Sequence, residues 1–554
     1  MEQQQNVFFW GAGATAALGI RTTVAQTKFI GRITGADAPS KSLKSRVADA
    51  LDSSNREPWY TALLDLITIL GDTESGYGSI HLIDNVQMEA MRRNWRRGAN
   101  EDELRGRIIE LRLIYDWPAL KSVVRICPGS STNNLSLNDL FNLLDMHISP
   151  ASGFRAITEQ DSGGKDCDQE TEFFDARRLL GAKNALAMIL LACFYIDYQV
   201  CIESKKVLVR QYHDFATLLA RRLQRDGMGI AGCIALDQPA FYKGDVSFAS
   251  LNYDPIALWV QFVANREMNN RADVPHIGSP AVPRQIFHDF GHLIPARRIE
   301  RGPSNWPWYP MNEAAAQRLN EKPVSDHRVR LIKFLFPHGC LCWRECPDCG
   351  KLSAYHGDRW SVDSAGLFPP PPLMAFDTYR CPDWIKDPER TQREKGKVDA
   401  RACLHCGTFT YAHHTQAVMQ SSFKSRPPSF IEEIQRDLRA TTMQANHIIL
   451  MGYSLPPDDV TFRAFFSARR QRAAPSVTVV GKDDDNPDWY DPKELATRTL
   501  GTSSHSTVQA AWDIFGKDKV RFYGGGVPNV FLDGGSATAA KLEQLLNWSS
   551  VPVT

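Results

Sequence analysis

The sequence lacks three features that would assign it at once to a class of proteins. It has no long apolar run, since the most hydrophobic stretch, residues 185–196, stops at Asp197 and is too short to span a bilayer. It has almost no net charge: 64 Lys and Arg residues balance 63 Asp and Glu residues, so no global charge attracts nucleic acid or a membrane. Its first residues carry no positive charge, which argues against a signal peptide. We therefore expect a buried core helix at 185–196, no membrane and no direct nucleic-acid partner.

Cysteine is too sparse for a disulfide-stabilised scaffold. The 554 residues include twelve cysteines, and four of these form two C-x-x-C pairs. Such usage is typical of a reducing compartment and of a metal site, which predicts a cytoplasmic protein. We expect the other cysteines to be small buried hydrophobic residues.

An apolar run near the N-terminus breaks into glycines. Residues 7–10 are predicted to form a buried strand, and residues 11–16 (GAGATA) a tight turn with a helix from about Ala14. The spacing G-x-G-x-x-A is an allowed form of the dinucleotide-binding turn, whose amides hold a pyrophosphate. A purely structural turn remains open, because small residues also pack a strand against a helix. The nearest candidate for the acidic residue expected about 20 positions later is Asp37, in a stretch with loop composition.

Residues 23 to about 223 are predicted to be a helical insertion between the first two strands of a sheet. Apolar residues recur at three- and four-residue spacing in five segments: 59–70, 101–117, 135–146, 179–202 and 207–223. The polar stretch 149–172 predicts an exposed or mobile loop.

Strands and helices alternate in the rest of the chain, which predicts a parallel sheet. The predicted strands are 245–251, 331–336, 447–451, 476–480 and 520–523, and the predicted helices are 459–470, 508–515 and 537–548. Polar groups follow two of these strands, at Asn252 and Asp254 and at His338. Open α/β sheets bind ligands at this edge, although Asn and Asp also cap ordinary loops and a lone histidine is more often structural.

The C-x-x-C pairs are predicted to form a zinc site. Cys346 and Cys349 make one knuckle, Cys403 and Cys406 make the other, and residues 350–402 lie between them. Four thiolates complete a closed tetrahedral shell, so the zinc should be structural. This separation exceeds that of common zinc fingers, and the four prolines from Pro369 indicate a stiff inserted loop. Spare candidates for ligands are Cys340, Cys342 and Cys381.

Taken in order, these motifs resemble the sirtuin-like superfamily. The family's glycine turn and Gly-Ile-Pro segment match residues 11–13 and 19–21, its Asn-Ile-Asp matches 252–254, and its His-Gly before the zinc knuckles matches 338–339. Its Gly-Thr-Ser-Leu matches residues 452–455, whereas the helical insertion and the residues after about Gly524 are not covered. The resemblance implies that NAD is bound by Gly11, Ala12, Gly13, Thr15, Ile20, Gly452 and Ser454.

The resemblance also implies catalytic roles. Asp254 would hold the nicotinamide carboxamide, Asn252 would position the ribose and a water, and His338 would be a general base near a ribose hydroxyl. Cleavage of the nicotinamide–ribose bond passes through an oxocarbenium-like ribose, as in glycoside hydrolysis.

Departures from the family pattern cast doubt on lysine deacylation. Arg21 replaces the family's proline, Leu251 replaces its glutamine, and residues 22–24 (TTV) replace its Asp-Phe-Arg. The chain is most similar to the bacterial sirtuin-like effectors of antiphage defence, which hydrolyse NAD. We expect a gated NAD⁺ glycohydrolase that works as a homo-oligomer or with an activating or inhibiting protein partner. The alternatives are an NAD-dependent protein-lysine deacylase and a non-catalytic NAD or ADP-ribose sensor.

The predicted fold class is α/β, with a Rossmann-like parallel sheet, a large helical insertion and a small zinc-ribbon insertion. The NAD-binding domain would comprise residues 1–22, 225–340 and 413–554, the helical insertion 23–224 and the zinc ribbon 341–412.

Overall fold

A computed structural model describes most, but not all, of the chain. The described residues are 5–21, 23–34, 65–70, 83–94, 100–130, 135–148, 151–158, 170–227, 246–269, 285–292, 296–298, 329–356, 403, 406, 427–457, 459–470 and 474–550. Some sequence predictions fall outside these residues, namely Asp37, 59–64, 159–169, Pro369 and Cys381.

Within the described residues, fifteen strands form one large sheet and three small ones. They are β1 (Asn6–Trp10), β2 (Phe154–Thr158), β3 (Glu170–Phe174), β4 (Val246–Ser250), β5 (Gln285–Asp289), β6 (Ala296–Arg298), β7 (Val329–Leu335), β8 (Trp343–Glu345), β9 (Leu352–His356), β10 (His447–Met451), β11 (Ser476–Val480), β12 (Trp489–Tyr490), β13 (Val520–Tyr523), β14 (Leu532–Asp533) and β15 (Ser536–Ala537).

The helices lie mainly between β1 and β4 and between the later strands. They are α1 (Ala12–Ala16), α2 (Thr23–Thr34), α3 (Asn85–Asn94), α4 (Glu101–Ile114), α5 (Trp117–Ile126), α6 (Leu137–Ile148), α7 (Ala176–Ser204), α8 (Lys206–Gly227), α9 (Ile256–Asn269), α10 (Ser429–Gln444), α11 (Val460–Arg470), α12 (Pro492–Leu495), α13 (Thr502–Phe515) and α14 (Ala539–Leu546). Residues 65–70 are also helical.

The large sheet has eight strands in the order β12-β13-β11-β10-β1-β4-β7-β5. Its neighbours pair in parallel, apart from the antiparallel edge strand β12. β1 and β10 are buried along their whole length, as expected for parallel strands covered on both faces. The predicted α/β class with a mostly parallel sheet is therefore confirmed.

Aromatic rings join the sheet to the helical region. The ring of Phe8 on β1 stacks on Phe248 of β4 at a centroid distance of 4.9 Å, and Phe248 stacks on Phe334 of β7 at 5.4 Å. Phe215 of α8 meets Phe8 edge-on at 6.5 Å. α8 is thus part of the same hydrophobic core as the sheet. Aromatic pairs at these distances also attract each other beyond the effect of burial.

The helical region departs from the sequence predictions in two places. The stretch predicted as a loop at 149–172 contains β2 and the start of β3, which pair antiparallel, and Phe174 of β3 is buried beneath the Arg178 guanidinium. The helix predicted at 101–117 ends at Ile114, because Asp116 caps a new helix by accepting from the Ala119 amide at 2.9 Å.

α7 agrees with the prediction of a buried core helix, since residues 185–190 are buried. Within the described ranges, none of the helices combines the length and the apolar character needed to cross a bilayer.

Candidate functional site

Three central strands end at one level of the sheet. In the paired register, Trp10 of β1 lies opposite Met451 of β10 and Ser250 of β4. The chain continues each ladder by one hydrogen bond, from the Gly11 amide to the Met451 carbonyl and from the Leu251 amide to the Trp10 carbonyl, both at 2.9 Å. The turns after β1, β4 and β10 therefore meet at the carboxyl edge, where parallel sheets bind ligands.

The glycine turn after β1 packs directly on the turn after β10. A Cβ on Gly11 would lie 2.6 Å from the Gly452 carbonyl oxygen, and one on Gly452, whose φ is +60°, would lie 2.2 Å from the Ala14 nitrogen. The Gly13 amide donates to the Gly452 carbonyl at 2.9 Å. These glycines permit two backbones to touch, a role that local spacing did not reveal. With the amides of Gly11 and Gly13 bonded to protein carbonyls, any phosphate at this turn has to use other groups.

α1 is also shorter than a typical dinucleotide-binding helix, because it begins at Ala12 and ends at Ala16. Ala12 and Gly13 are exposed at the edge of the sheet, whereas Thr15 is buried. The predicted start of this helix at Ala14 was two residues too late.

Asn252 connects the turn after β4 to the glycine turn. Its Nδ2 atom donates to the Gly11 carbonyl at 3.1 Å and to the Thr15 Oγ1 at 3.3 Å. The Thr15 hydroxyl in turn donates to the Ala12 carbonyl at 3.3 Å. The buried Asn252 side chain is consequently held in a single orientation, with two of its donor contacts used within the protein.

Asp254 is a buried carboxyl group with a raised pKa. Burial is the largest effect and raises the pKa to about 6, while hydrogen bonds from the Ile256 amide and the Asn252 side chain act in the opposite direction. The Ile256 amide donates to Oδ1 at 3.1 Å. At neutral pH this carboxylate is charged and scarcely hydrated, which makes it a strong acceptor for an amide.

His338 lies in the turn after β7, next to the Asn252–Asp254 segment. The Leu341 amide donates to the Tyr253 carbonyl at 3.0 Å, and Gln435 of α10 donates to the Pro337 carbonyl at 3.0 Å. The imidazole is 1% exposed, with the ring of Phe462 edge-on at 5.2 Å. The structure thus brings His338 to the same edge as the predicted Asn and Asp.

Asp459 is a neighbour of His338 that the sequence did not predict. Its Oδ1 lies 3.7 Å from His338 Nε2, and its Oδ2 accepts a 2.8 Å hydrogen bond from the Tyr453 hydroxyl. The two residues are far apart in sequence, so no local spacing links them. The available signal was the acidic residue at the start of the helix predicted at 459–470. In the structure this residue directly precedes α11.

The remaining predicted NAD ligands differ in accessibility. Ile20 is buried, and Ser454 is exposed on the turn after β10. Leu455, which follows Ser454, has a φ of 52° although it is not glycine. Such a conformation costs free energy and is concentrated at functional sites.

Helices of the insertion contact the segment that follows the glycine turn. The Tyr212 hydroxyl of α8 donates to the Ala14 carbonyl, and Lys205 Nζ donates to the Ala17 carbonyl at 2.8 Å. Burial raises the pKa of Tyr212, so its hydroxyl keeps the proton that it donates. Arg21, which stands where the family has proline, forms an ion pair with Asp197 of α7 at 3.0 Å.

The four cysteines of the two C-x-x-C pairs come together. Their sulfur atoms, on Cys346, Cys349, Cys403 and Cys406, all lie within 4.8 Å of one another. The closest cross-pair distances are 3.5 and 3.8 Å. A tetrahedral zinc with bonds of about 2.3 Å separates its sulfurs by about 3.8 Å, so the cluster can hold a metal ion and is compatible with structural zinc.

The first knuckle is presented by the hairpin β8–β9, and its turn closes through the Gly350 amide, which donates to the Cys346 carbonyl at 2.9 Å. The spare candidates Cys340 and Cys342 lie outside the cluster, are buried, and have sulfurs 3.3 Å apart. They agree with the expectation of small buried residues.

In comparisons with known proteins, no family model and no curated protein matches the sequence. What the chain does is therefore inferred from the chemistry at the sheet edge, together with the resemblance of its motifs.

Proposed function

We propose that the chain is an NAD⁺ glycohydrolase, which splits NAD⁺ with water into nicotinamide and ADP-ribose. The observation that carries this proposal is the convergence of Asn252, Asp254 and His338 at the ends of the adjacent strands β4 and β7, beside the glycine turn. An amide, a buried carboxylate and an imidazole are the groups that a reaction of this class needs at one edge.

Each group has a distinct task in the proposed reaction. Asp254 accepts a hydrogen bond from the nicotinamide carboxamide, and its charge favours the positively charged ring of bound NAD⁺. Because Asn252 Nδ2 is held by Gly11 and Thr15, its Oδ1 is the atom that we assign to the attacking water. His338 accepts a proton near a ribose hydroxyl, since a neutral imidazole nitrogen can act as a general base.

The proposed activity includes a low-activity resting state, as an antiphage effector that depletes NAD in the cytoplasm would require. Two observations support this part of the proposal. His338 is 1% exposed, so this conformation shields the base from a substrate. Tyr212 and Lys205 bind the helical insertion to the backbone after the glycine turn, so a rearrangement of the insertion would reach the site. Self-association or a protein partner would then favour the open state.

The test is to incubate the purified protein with NAD⁺ alone and to measure nicotinamide and ADP-ribose. We expect turnover without any acyl-lysine peptide, and its loss in Asn252→Ala and His338→Ala while both variants remain folded. His505→Ala, on the exposed start of α13, is the matched control and should retain wild-type turnover.

The same assay separates the other functions. Turnover that depends on added acyl-lysine peptide would identify a deacylase, and binding of NAD⁺ or ADP-ribose without cleavage under every condition would identify a sensor. Wild-type rates in the Asn252 or His338 variant would exclude that residue from catalysis.

A further inference from the structure

We propose that Asp459 is a positioning residue for His338, which holds the imidazole in one tautomer and stabilises its protonated form. This inference rests on the proposed hydrolysis of NAD⁺, but its geometry can be tested separately. Asp459 belongs to none of the motifs of the resemblance.

The carboxylate is placed by contacts on both of its oxygens. Oδ2 accepts from the Tyr453 hydroxyl at 2.8 Å, and Oδ1 faces His338 Nε2 at 3.7 Å. The latter distance is an ion-pair contact and exceeds a hydrogen bond, so a small approach of the ring would complete the bond. Catalytic hydrogen bonds are often long before substrate binds.

Asp459 has no exposed surface, although buried carboxylates are rare unless they are paired. It directly precedes α11, and its carbonyl accepts from the Arg463 amide at 3.1 Å, so the negative charge lies at the positive end of a helix. The start of α11 therefore supplies two contacts to the imidazole, the Asp459 carboxylate just before the helix and the Phe462 ring in its first turn.

The arrangement assigns different tasks to the two ring nitrogens. With Nε2–H directed at Asp459, we assign the role of the base to Nδ1. When a ribose hydroxyl or water gives up its proton, the O–H bond breaks, an Nδ1–H bond forms and the ring becomes positively charged. The Asp459 carboxylate compensates this charge, which is how the third residue of a hydrolase triad acts.

Tyr453 extends this contact to the glycine turn. Its hydroxyl fixes the rotation of the Asp459 carboxylate, and its backbone packs on Gly11, where an added Cβ would lie 2.7 Å from the Tyr453 Cα. The proposed nucleotide-binding turn and the proposed base are thus joined through one side chain.

The first test uses Asp459→Asn, which preserves shape and removes the charge. We expect kcat to fall by about 10²-fold with KM within about twofold of wild type, because the interaction acts on the base and not on NAD binding. In a His338→Gln background, Asp459→Asn should have no further effect on kcat. Asp145→Asn, at another buried carboxylate paired with Lys183, is the matched control and should leave kcat unchanged.

The second test is independent of turnover. Nitrogen-15 NMR of the full chain labelled at histidine should show Nε2 protonated and Nδ1 unprotonated for neutral His338, and this preference should weaken in both Asp459→Asn and Asp459→Leu. Absence of NAD⁺ cleavage with the expected tautomer would overturn the proposed function alone. Three outcomes would overturn the role of Asp459. They are unchanged His338 nitrogen shifts in both variants, a wild-type kcat in Asp459→Asn, and a further fall in kcat when Asp459→Asn is added to His338→Gln.

Discussion

The hydroxyl of Tyr212 donates a hydrogen bond to the backbone carbonyl of Ala14 and so ties the helical insertion to the first turn of the sheet. The bond is buried, and the Tyr212 ring also packs edge-on against Trp10 at 6.0 Å and Phe531 at 5.6 Å. The insertion consequently rests on the strand that leads into the proposed NAD site, and it supplies a polar contact within that site's first turn.

Tyr212→Phe should therefore weaken both stability and nucleotide binding. Loss of the hydroxyl leaves the Ala14 carbonyl without this donor in a buried place, which should lower the free energy of unfolding by about 1–2 kcal/mol. Denaturant unfolding and calorimetric titration with NAD⁺ measure the two effects. Tyr490→Phe is the control, because it removes the hydroxyl of another buried tyrosine, on the distant edge strand β12. It should leave NAD⁺ affinity unchanged. Equal affinities in all three proteins would show that the insertion does not act on the turn.

Gly452→Ala should be far more destabilising than a glycine substitution at the same backbone angle elsewhere. Gly452 has a φ of +60° and no space, since its Cβ would lie 2.4 Å from the Gly13 carbonyl carbon. Gly534 has a φ of +56° and no atom within 4 Å of its added Cβ, so it isolates the cost of the angle.

We expect Gly534→Ala to cost about 1 kcal/mol and Gly452→Ala more than about 3 kcal/mol, because a backbone overlap cannot be relieved by a side-chain rotation. Urea unfolding at constant pH compares the two variants. Similar costs would mean that the two turns can separate freely, which would contradict their close packing.

The sequence predicted several strands of the large sheet well. The bounds predicted for β10, β11 and β13 match the structure, because short runs of β-branched and apolar residues end at Gly, Asp or a following turn. The edge strand β5 was not predicted, since its residues have no clear apolar period. The antiparallel pair β2–β3 was not predicted because its surroundings are polar, although the rings of Phe154 and Phe174 pack against each other at a centroid distance of 5.6 Å.

Long-range contacts limited what the sequence could reveal about the site. The spacing of Gly11 and Gly13 was visible, but their contact with Gly452 depends on the pairing of β1 with β10. For the same reason, the approach of Asp459 to His338 follows from the packing of α11 and not from any local pattern.

Asp254→Asn should increase stability while it abolishes NAD⁺ cleavage. Burial raises the folded-state pKa of Asp254 to about 6, above the 3.8 of an ordinary Asp, so the ionised carboxylate destabilises the fold. This destabilisation of the fold is greatest above about pH 6, declines as the pH falls and is absent below about pH 3.8. A shift of this size corresponds to about 3 kcal/mol, and Asn retains an oxygen to accept from the Ile256 amide.

Unfolding free energies of the wild type and Asp254→Asn across this pH range provide the measurement. The variant should be more stable at pH 7 and lose its advantage towards pH 4. The exposed Asp484→Asn is the matched control for removal of one carboxylate, and it should leave the unfolding free energy at pH 7 nearly unchanged. A variant less stable than the wild type at pH 7 would contradict the assigned cost of the buried charge.

Metal analysis should find about one zinc ion per chain in carefully prepared protein. Cys346→Ser and Cys406→Ser should each lower the zinc content and the midpoint of thermal unfolding, because metal binding contributes to the folding free energy. Cys127→Ser changes a buried cysteine outside the cluster and should reduce stability without loss of zinc. Folded, active protein that contains no bound zinc would refute the assignment of the four cysteines as a zinc site.

NAD⁺ hydrolysis per chain should rise with protein concentration or on addition of an activator. The shielded His338 and the contact of Lys205 with the Ala17 carbonyl describe a state in which substrate access is restricted. Self-association or a partner can shift this equilibrium only if it binds the open state more tightly than the closed one. The measurement is nicotinamide release per chain over a dilution series, with and without extract of phage-infected cells. Lys205→Ala, which removes the bond to Ala17, should raise the activity of dilute protein and reduce its dependence on concentration. High specific activity at every dilution, unchanged by extract or by this substitution, would rule out a gate formed by the insertion.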